Sequence, residues 1–344
     1  MAATTMDLTL SLQISPKNPR EHGAIVEEIE GLIRVYEDGH VERPQIVPLV
    51  TASLPPELGV SARDTVVDRF TNIWARFYMP KSRGKPLPLL VYFHGGGFCV
   101  GSAAWSCYHE FLAELAAAAG CVIMSLNYRL APENPLPAAF EDGFKAVMWL
   151  RQQALFGTEY WWSKQCNFSK IFLAGDSAGG NIAYNVAIRL ASQPTAALSP
   201  FKIKGTILIQ PFFGGEERTN SEKFAAAQPP HSALNLSASD TYWRLALPAG
   251  ANRDHPWSNP VAKGSGKWAE PRLFPSMVCI SEMDILKDRN LEFCAAFSGA
   301  GAEKSEHVIY RGVGHAFQIL NKSLLSQSRT HEMISHIKAF ISRS

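Results

Sequence analysis

Ile171-Phe172-Leu173-Ala174-Gly175-Asp176-Ser177-Ala178-Gly179-Gly180-Asn181 reads as a buried strand that bends sharply into a helix. Consecutive apolar residues suit a strand covered on both faces, and Ala178–Ala191 carries apolar residues at helical spacing. Between them, Gly175-x-Ser177-x-Gly179 supplies small residues that let neighbouring segments approach. A serine at such a bend projects its hydroxyl toward the positive end of the helix, where a developing anion is stabilised. The same five residues also fit a plain glycine-rich turn whose serine caps the helix. Their place between strand and helix favours a nucleophile at Ser177.

On either side of this stretch, short apolar runs alternate with longer helical patterns. Strands are expected over Leu89–Phe93, Cys121–Leu126, Lys170–Ala174, Gly205–Gln210, Ser276–Ser281 and His307–Tyr310. Helices are expected over Trp105–Ala119, Pro137–Gln153, Ala178–Ala191, Ile285–Ser298 and Leu324–Ile341. This alternation predicts an α/β fold, a mostly parallel central sheet with helices on both faces, and the whole chain 1–344 reads as a single domain. Two stretches break the pattern, about 1–55 and 212–251, and both are expected to form cap elements over one end of the sheet.

Composition narrows the function. With 46% hydrophobic and 19% charged residues the chain holds enough apolar material for a large core. A net charge of +2, without a Lys/Arg-rich run, gives no electrostatic reason to expect a nucleic-acid or anionic-lipid partner. The six cysteines show no CxxC spacing, so no metal site or redox motif is expected. The first residues lack the pattern of a secretory signal, and no window reaches the ~18 consecutive apolar residues of a membrane helix. A cytoplasmic protein is the expectation, and the Asn-x-Ser sequons at Asn167, Asn235 and Asn321 then carry no meaning.

His94-Gly95-Gly96-Gly97-Phe98 follows the strand run Leu89–Phe93. Acyl transfer passes through a tetrahedral oxyanion that backbone N–H groups must face, and glycines allow the required dihedrals. The donors expected are Gly95, Gly96 and Ala178. A dinucleotide-binding loop would need a glycine at position 100, where Val100 stands. His94 is expected to be structural. Downstream, Ser276–Asp284 reads as a strand ending in acids and His307–Phe317 as a strand followed by a glycine-flanked histidine. A carboxylate at one strand end and an imidazole on the next loop suit a Ser-Asp-His relay, with Asp284 preferred over Glu282 and Asp288. Asp284 also fits a cap for the helix it precedes, and both roles are compatible. His331 and His336 are five residues apart, not the four of a zinc helix, and read as surface residues.

Together His94-Gly-Gly-Gly-Phe98, Asn127-Tyr-Arg-Leu-Ala-Pro-Glu133, Gly175-Asp-Ser-Ala-Gly179, Pro211-Phe-Phe-Gly-Gly-Glu-Glu-Arg218 and Asp284…Gly314-His315 resemble the plant carboxylesterases. That group lies in the hormone-sensitive-lipase-like branch of the α/β-hydrolases, and the resemblance runs from about Val26 to the end of the chain. It implies the α/β-hydrolase fold, an N-terminal lid, a cytosolic or nuclear enzyme, esters with modest acyl groups as partners, and no cofactor. It implies a supporting loop at Tyr128–Glu133, with no catalytic role for Glu133. Gibberellin receptors resemble this group but have lost the histidine that His315 matches. Isoflavonoid dehydratases and alkaloid cyclases use the same scaffold for elimination or cyclisation. Retention of Ser177 and His315 favours hydrolysis over a hormone-binding or lyase role. Phe98, Trp105, Tyr108, Phe213 and Trp243 are read equally well as core or as substrate contacts.

Overall fold

A computed structural model describes residues 22–81, 84–156, 161–223, 232–262, 274–299 and 305–344. Backbone contacts divide the chain at Pro44/Gln45 into two compact units, where the sequence reads as one. The division follows the hydrogen bonding. β1 (Ile25–Ile29), β2 (Ile33–Tyr36) and β3 (Val41–Glu42) pair only with one another, as an antiparallel three-stranded sheet. Arg34 on β2 bonds Glu28 on β1 and Glu42 on β3, tying the three together. Of the N-terminal cap segment expected from the sequence, residues 1–21 lie outside the described residues.

The second unit is built on an eight-stranded sheet. Its strands are β4 (Val60–Asp68), β5 (Ile73–Pro80), β6 (Leu87–Phe93), β7 (Val122–Asn127), β8 (Cys166–Asp176), β9 (Ile203–Ile209), β10 (Ser276–Ser281) and β11 (Glu306–Tyr310). The spatial order is β11-β10-β9-β8-β6-β7-β5-β4. Every pair from β11 to β7 is parallel, and only β5 and β4 run antiparallel to their neighbours.

All six expected strands are present. β4 and β5 were not expected, and a charge explains β5. Arg76 interrupts its apolar run yet is 1% exposed, because Asp64 on β4 accepts from its Nε at 2.7 Å and Nη2 at 2.9 Å. A fork-to-fork pair of this kind lets a guanidinium lie inside a sheet. The same side chain donates to the carbonyls of Thr51 and Val50. Together with the bond Val50 N–Ala104 O, this pins the segment after Pro48 beside Trp105.

The principal helices are α1 (Ser106–Ala119), α2 (Ala138–Phe156), α3 (Ala178–Ala191), α4 (Thr195–Leu198), α5 (Asn220–Lys223), α6 (Leu236–Ala246), α7 (Lys287–Gly299), α8 (Phe317–Leu320) and α9 (Leu324–Arg343). Side chains alternate across a strand. Leu90, Tyr92, Phe172, Ala174, Ile207, Ile209, Met277 and Cys279 therefore share one core with α1 and α9. The intervening positions turn to the other face, where α2 and α3 meet Phe93. The parallel register aligns Phe93 with Gly175, Asp176 with Ile209 and Ile209 with Cys279. The loops that begin at His94, Ser177, Gln210 and Glu282 thus leave one edge of the sheet, the carboxyl end, where open α/β sheets place their ligands.

Candidate active site

Ser177 occupies the one-residue bend between β8 and α3. Its φ of 52° and ψ of −120° are rare for a residue with a Cβ, a strain of about 1–3 kcal/mol that neighbours must hold in place. Four contacts do so. Its N–H donates to Ile209 O at 2.8 Å, and its carbonyl accepts from Phe212 at 2.8 Å and from Asn181 at 3.2 Å. The fourth is steric: a Cβ on Gly179 would overlap the Phe93 carbonyl, so only glycine allows α3 to start this close to β6. The serine hydroxyl makes no capping bond to α3. That argues against the plain cap the sequence also permitted.

The hydroxyl faces His315 instead. His315 Nε2 lies 2.9 Å from Ser177 Oγ, and His315 Nδ1 lies 2.7 Å from Asp284 Oδ2. All three residues are buried. The other carboxylate oxygen of Asp284 accepts the Leu286 N–H at 3.0 Å, which closes the turn leading into α7; the helix itself begins later, at Lys287, so the aspartate caps that turn and not the helix. Met283 N–Val313 O, at 3.0 Å, and Glu282 Oε2, which accepts from Gly312 N at 2.9 Å, couple the acid-bearing loop to the histidine-bearing one.

The glycine loop departs from expectation at one residue. Gly95 N–H is already engaged: it donates to Tyr108 Oη at 2.7 Å and lies 3.1 Å from Asp176 Oδ1. A donor so committed cannot also face an oxyanion, and Gly95 is corrected to an anchor of the loop. Gly96, Gly97 and Ala178 differ, since among the described residues their N–H groups meet no protein acceptor. Gly97 is the glycine of the motif for which the sequence predicts no donor role. It has φ 58°, and a Cβ there would overlap the ring of Tyr242 on α6. The insertion after β9 therefore packs directly on this loop, with α6 fixed by Asp240 between Arg218 and Arg253.

The anchor of Gly95 is a buried acid that sequence reasoning passed over as a mere neighbour of the serine. Asp176 is 1% exposed and accepts from Tyr92 Oη at 2.7 Å and Tyr108 Oη at 2.9 Å. Burial pushes its carboxyl up to about 6, while the two tyrosine hydroxyls pull the other way. His94 sits beside it, stacked on Tyr128 with ring centroids 4.3 Å apart. Burial pushes this imidazole down to about 4, so it is neutral at physiological pH. His94 Nδ1 is 2.8 Å from Gly95 O, and Tyr128 Oη donates to His94 O at 2.8 Å. This is the structural histidine the sequence suggested, and it places Tyr128 as a support of the loop.

Among the specificity candidates, Phe98, Tyr108, Phe213 and Trp243 are buried, and Trp243 stacks on Phe212 at 4.5 Å. They read as core. Trp105 is half-buried above Tyr108. None of the six cysteines forms a disulfide, and no group of three potential metal ligands occurs among the described residues. His331 is exposed against Glu114, whereas His336 turns inward to Tyr310 Oη.

Known proteins share this architecture. A solved esterase from Pyrobaculum calidifontis matches with a TM-score of 0.66 at 27% identity, covering 81% of this chain and 84% of that one. Probable carboxylesterase 6 of Arabidopsis thaliana is 53% identical over 338 residues, spanning 97% of this chain and 96% of its own. The gibberellin receptor GID1A of the same plant is 35% identical over 312 residues, spanning 85% and 84%. The family model described as the alpha/beta hydrolase fold matches residues 90–319. The chain belongs to the α/β-hydrolase family.

Proposed function

We propose that this protein is a serine carboxylesterase that hydrolyses small-molecule carboxylic esters through an acyl-enzyme. The observation that carries the reading is the buried relay Ser177 Oγ–His315 Nε2–His315 Nδ1–Asp284, with steps of 2.9 and 2.7 Å. In the first half, His315 Nε2 takes the proton of Ser177 Oγ as the oxygen attacks the ester carbonyl carbon. The N–H groups of Gly96, Gly97 and Ala178 receive the resulting oxyanion, while Asp284 keeps the second imidazole proton on Nδ1. Collapse of the intermediate expels the alcohol, which takes its proton from His315. In the second half, His315 deprotonates a water molecule that attacks the acyl carbon. The acid departs and the proton returns to Ser177. These steps use side chains, backbone amides and water alone.

Relatives include a hormone receptor, and His315 is what favours hydrolysis here: a binding pocket has no need of an imidazole in contact with a strained serine. The described residues of the stretch 212–251, with α6 against Gly97, serve as a cap that shapes the ester pocket. Among the described residues no helix is long and apolar enough to cross a membrane, and we assign the protein to the cytoplasm, with the nucleus as a second location. The test is Ser177→Ala assayed with p-nitrophenyl acetate. Turnover is expected to fall by at least about 10⁴-fold, and an organophosphate probe should label Ser177 in the parent protein. Unchanged turnover by the variant would overturn the proposal.

A further inference from the structure

The end of β9 bonds to Ser177 and to residues close to the other two members of the relay. Ile209 O accepts the Ser177 N–H, and three residues on, Phe212 N–H donates to the Ser177 carbonyl. Between them stands Gln210, fully buried, with φ 46° although it is neither glycine nor asparagine and precedes a proline. A bulky residue rests in this region only when its surroundings hold it there. Gln210 is held by both ends of its amide. Nε2 donates to Ser281 Oγ at 2.8 Å and approaches Gln318 Oε1 at 3.3 Å, and Oε1 accepts the N–H of Ala316 at 2.6 Å. The orientation is forced, because a backbone N–H must meet the oxygen.

Both partners sit next to the chemistry. Ser281 closes β10 three residues before Asp284, and its carbonyl accepts the Asp284 N–H at 3.3 Å. Ala316 directly follows His315 and is itself left-handed, with φ 55°. The peptide between His315 and Ala316 sets the direction of the imidazole, and among the described residues its N–H has Gln210 as its acceptor.

We propose that Gln210 is a positioning residue that sets the base and the acid at their mutual distance and points His315 at Ser177. It touches no reacting atom. The inference rests on the hydrolase reading above and adds a requirement to it: the loop of His315 needs an acceptor at this position.

Gln210→Leu removes the acceptor at similar size, and Gln210→Glu keeps it. An introduced carboxyl buried here stays protonated at low pH and can still donate to Ser281. Each is assayed with p-nitrophenyl acetate beside Ser177→Ala, with the folded fraction fixed by thermal melting. We expect kcat of Gln210→Leu to fall about 10–100-fold at unchanged KM, the scale of a small misplacement of a catalytic group. Gln210→Glu should recover most of that loss at low pH. The far-downfield NMR resonance of the proton between His315 and Asp284 should shift or broaden in the Leu variant and return in the Glu variant. Ser281→Ala, should Gln210→Leu not fold, loosens the other end of the amide and is expected to lower kcat by a smaller factor. Wild-type kcat in the Leu variant, or equal losses in Leu and Glu, would overturn the inference. If Ser177→Ala remains fully active, the hydrolase reading fails instead.

Discussion

Ser177 is flanked by two loops held by different chemistry. On the oxyanion side, Gly95 is fixed by an ionisable cluster: the Asp176 carboxylate, two tyrosine hydroxyls and a neutral buried histidine. On the histidine side, Ala316 and Ser281 are fixed by the uncharged amide of Gln210. A preorganised site can therefore be supported by charge or by neutral hydrogen bonds, and only the first kind of support responds to pH. The oxyanion loop should respond to pH through Asp176 and His94, whereas the support of His315 should not.

The largest effect that probes this division is Asp284→Asn. It leaves the Leu286 contact possible through its carbonyl oxygen but cannot hold the Nδ1 proton in place. We expect kcat to drop by about 10⁴-fold with little change in melting temperature. A drop below tenfold in steady-state assays would show that the histidine side is oriented by Gln210 alone.

Next is Gly97→Ala, which tests the other side. The added methyl meets both a left-handed backbone and the ring of Tyr242. The loop must tilt, and loss of a donor is expected to lower kcat by about 10²–10³-fold. Gly97→Ala with parental kcat would remove this amide from the oxyanion site.

The smallest effect is the sharpest discriminator. Asp176 is raised to about 6, so its contribution favours the fold when protonated and is lost as pH rises from the ordinary carboxylate range through about 6. His94 is lowered to about 4, so its contribution is lost as pH falls from the ordinary imidazole range toward about 4. The two slopes oppose each other in the parent protein. Asp176→Asn leaves the histidine slope alone, and urea unfolding should then show stability falling by about 2–3 kcal/mol between pH 7 and pH 4, relative to the parent trend. Gln210→Leu should keep the parental slope, since no charge is removed. Identical slopes in all three proteins would erase the contrast between the loops.

Much of this was legible in the chain itself. Five of the six expected strands announce themselves because a strand covered on both faces is apolar at nearly every position, as Leu89–Phe93 is, while β11 is an edge strand with alternating exposure. Helix α1 ends where Gly120, at φ 63°, permits the left-handed cap. β4 escaped because, as an edge strand, it mixes buried and exposed positions, and β5 because Arg76 interrupts it. Ser177, Asp284 and His315 could be read because strand ends on a parallel sheet converge on one edge whatever the loops between them. The choice among the three glycines could not be read, since it depends on Asp176, Tyr92 and Tyr108 arriving from β8, β6 and α1.

By itself, then, the sequence determined the parallel sheet, the order of serine, acid and histidine, and the glycine loop, because those are local patterns of apolarity, turn chemistry and spacing. Tertiary structure alone decided which amides remain free to face an oxyanion and which side chains support the two loops. A hydrogen bond has one geometry and a finite number of partners, and whether a given N–H is spent or available depends on atoms brought together from distant parts of the chain.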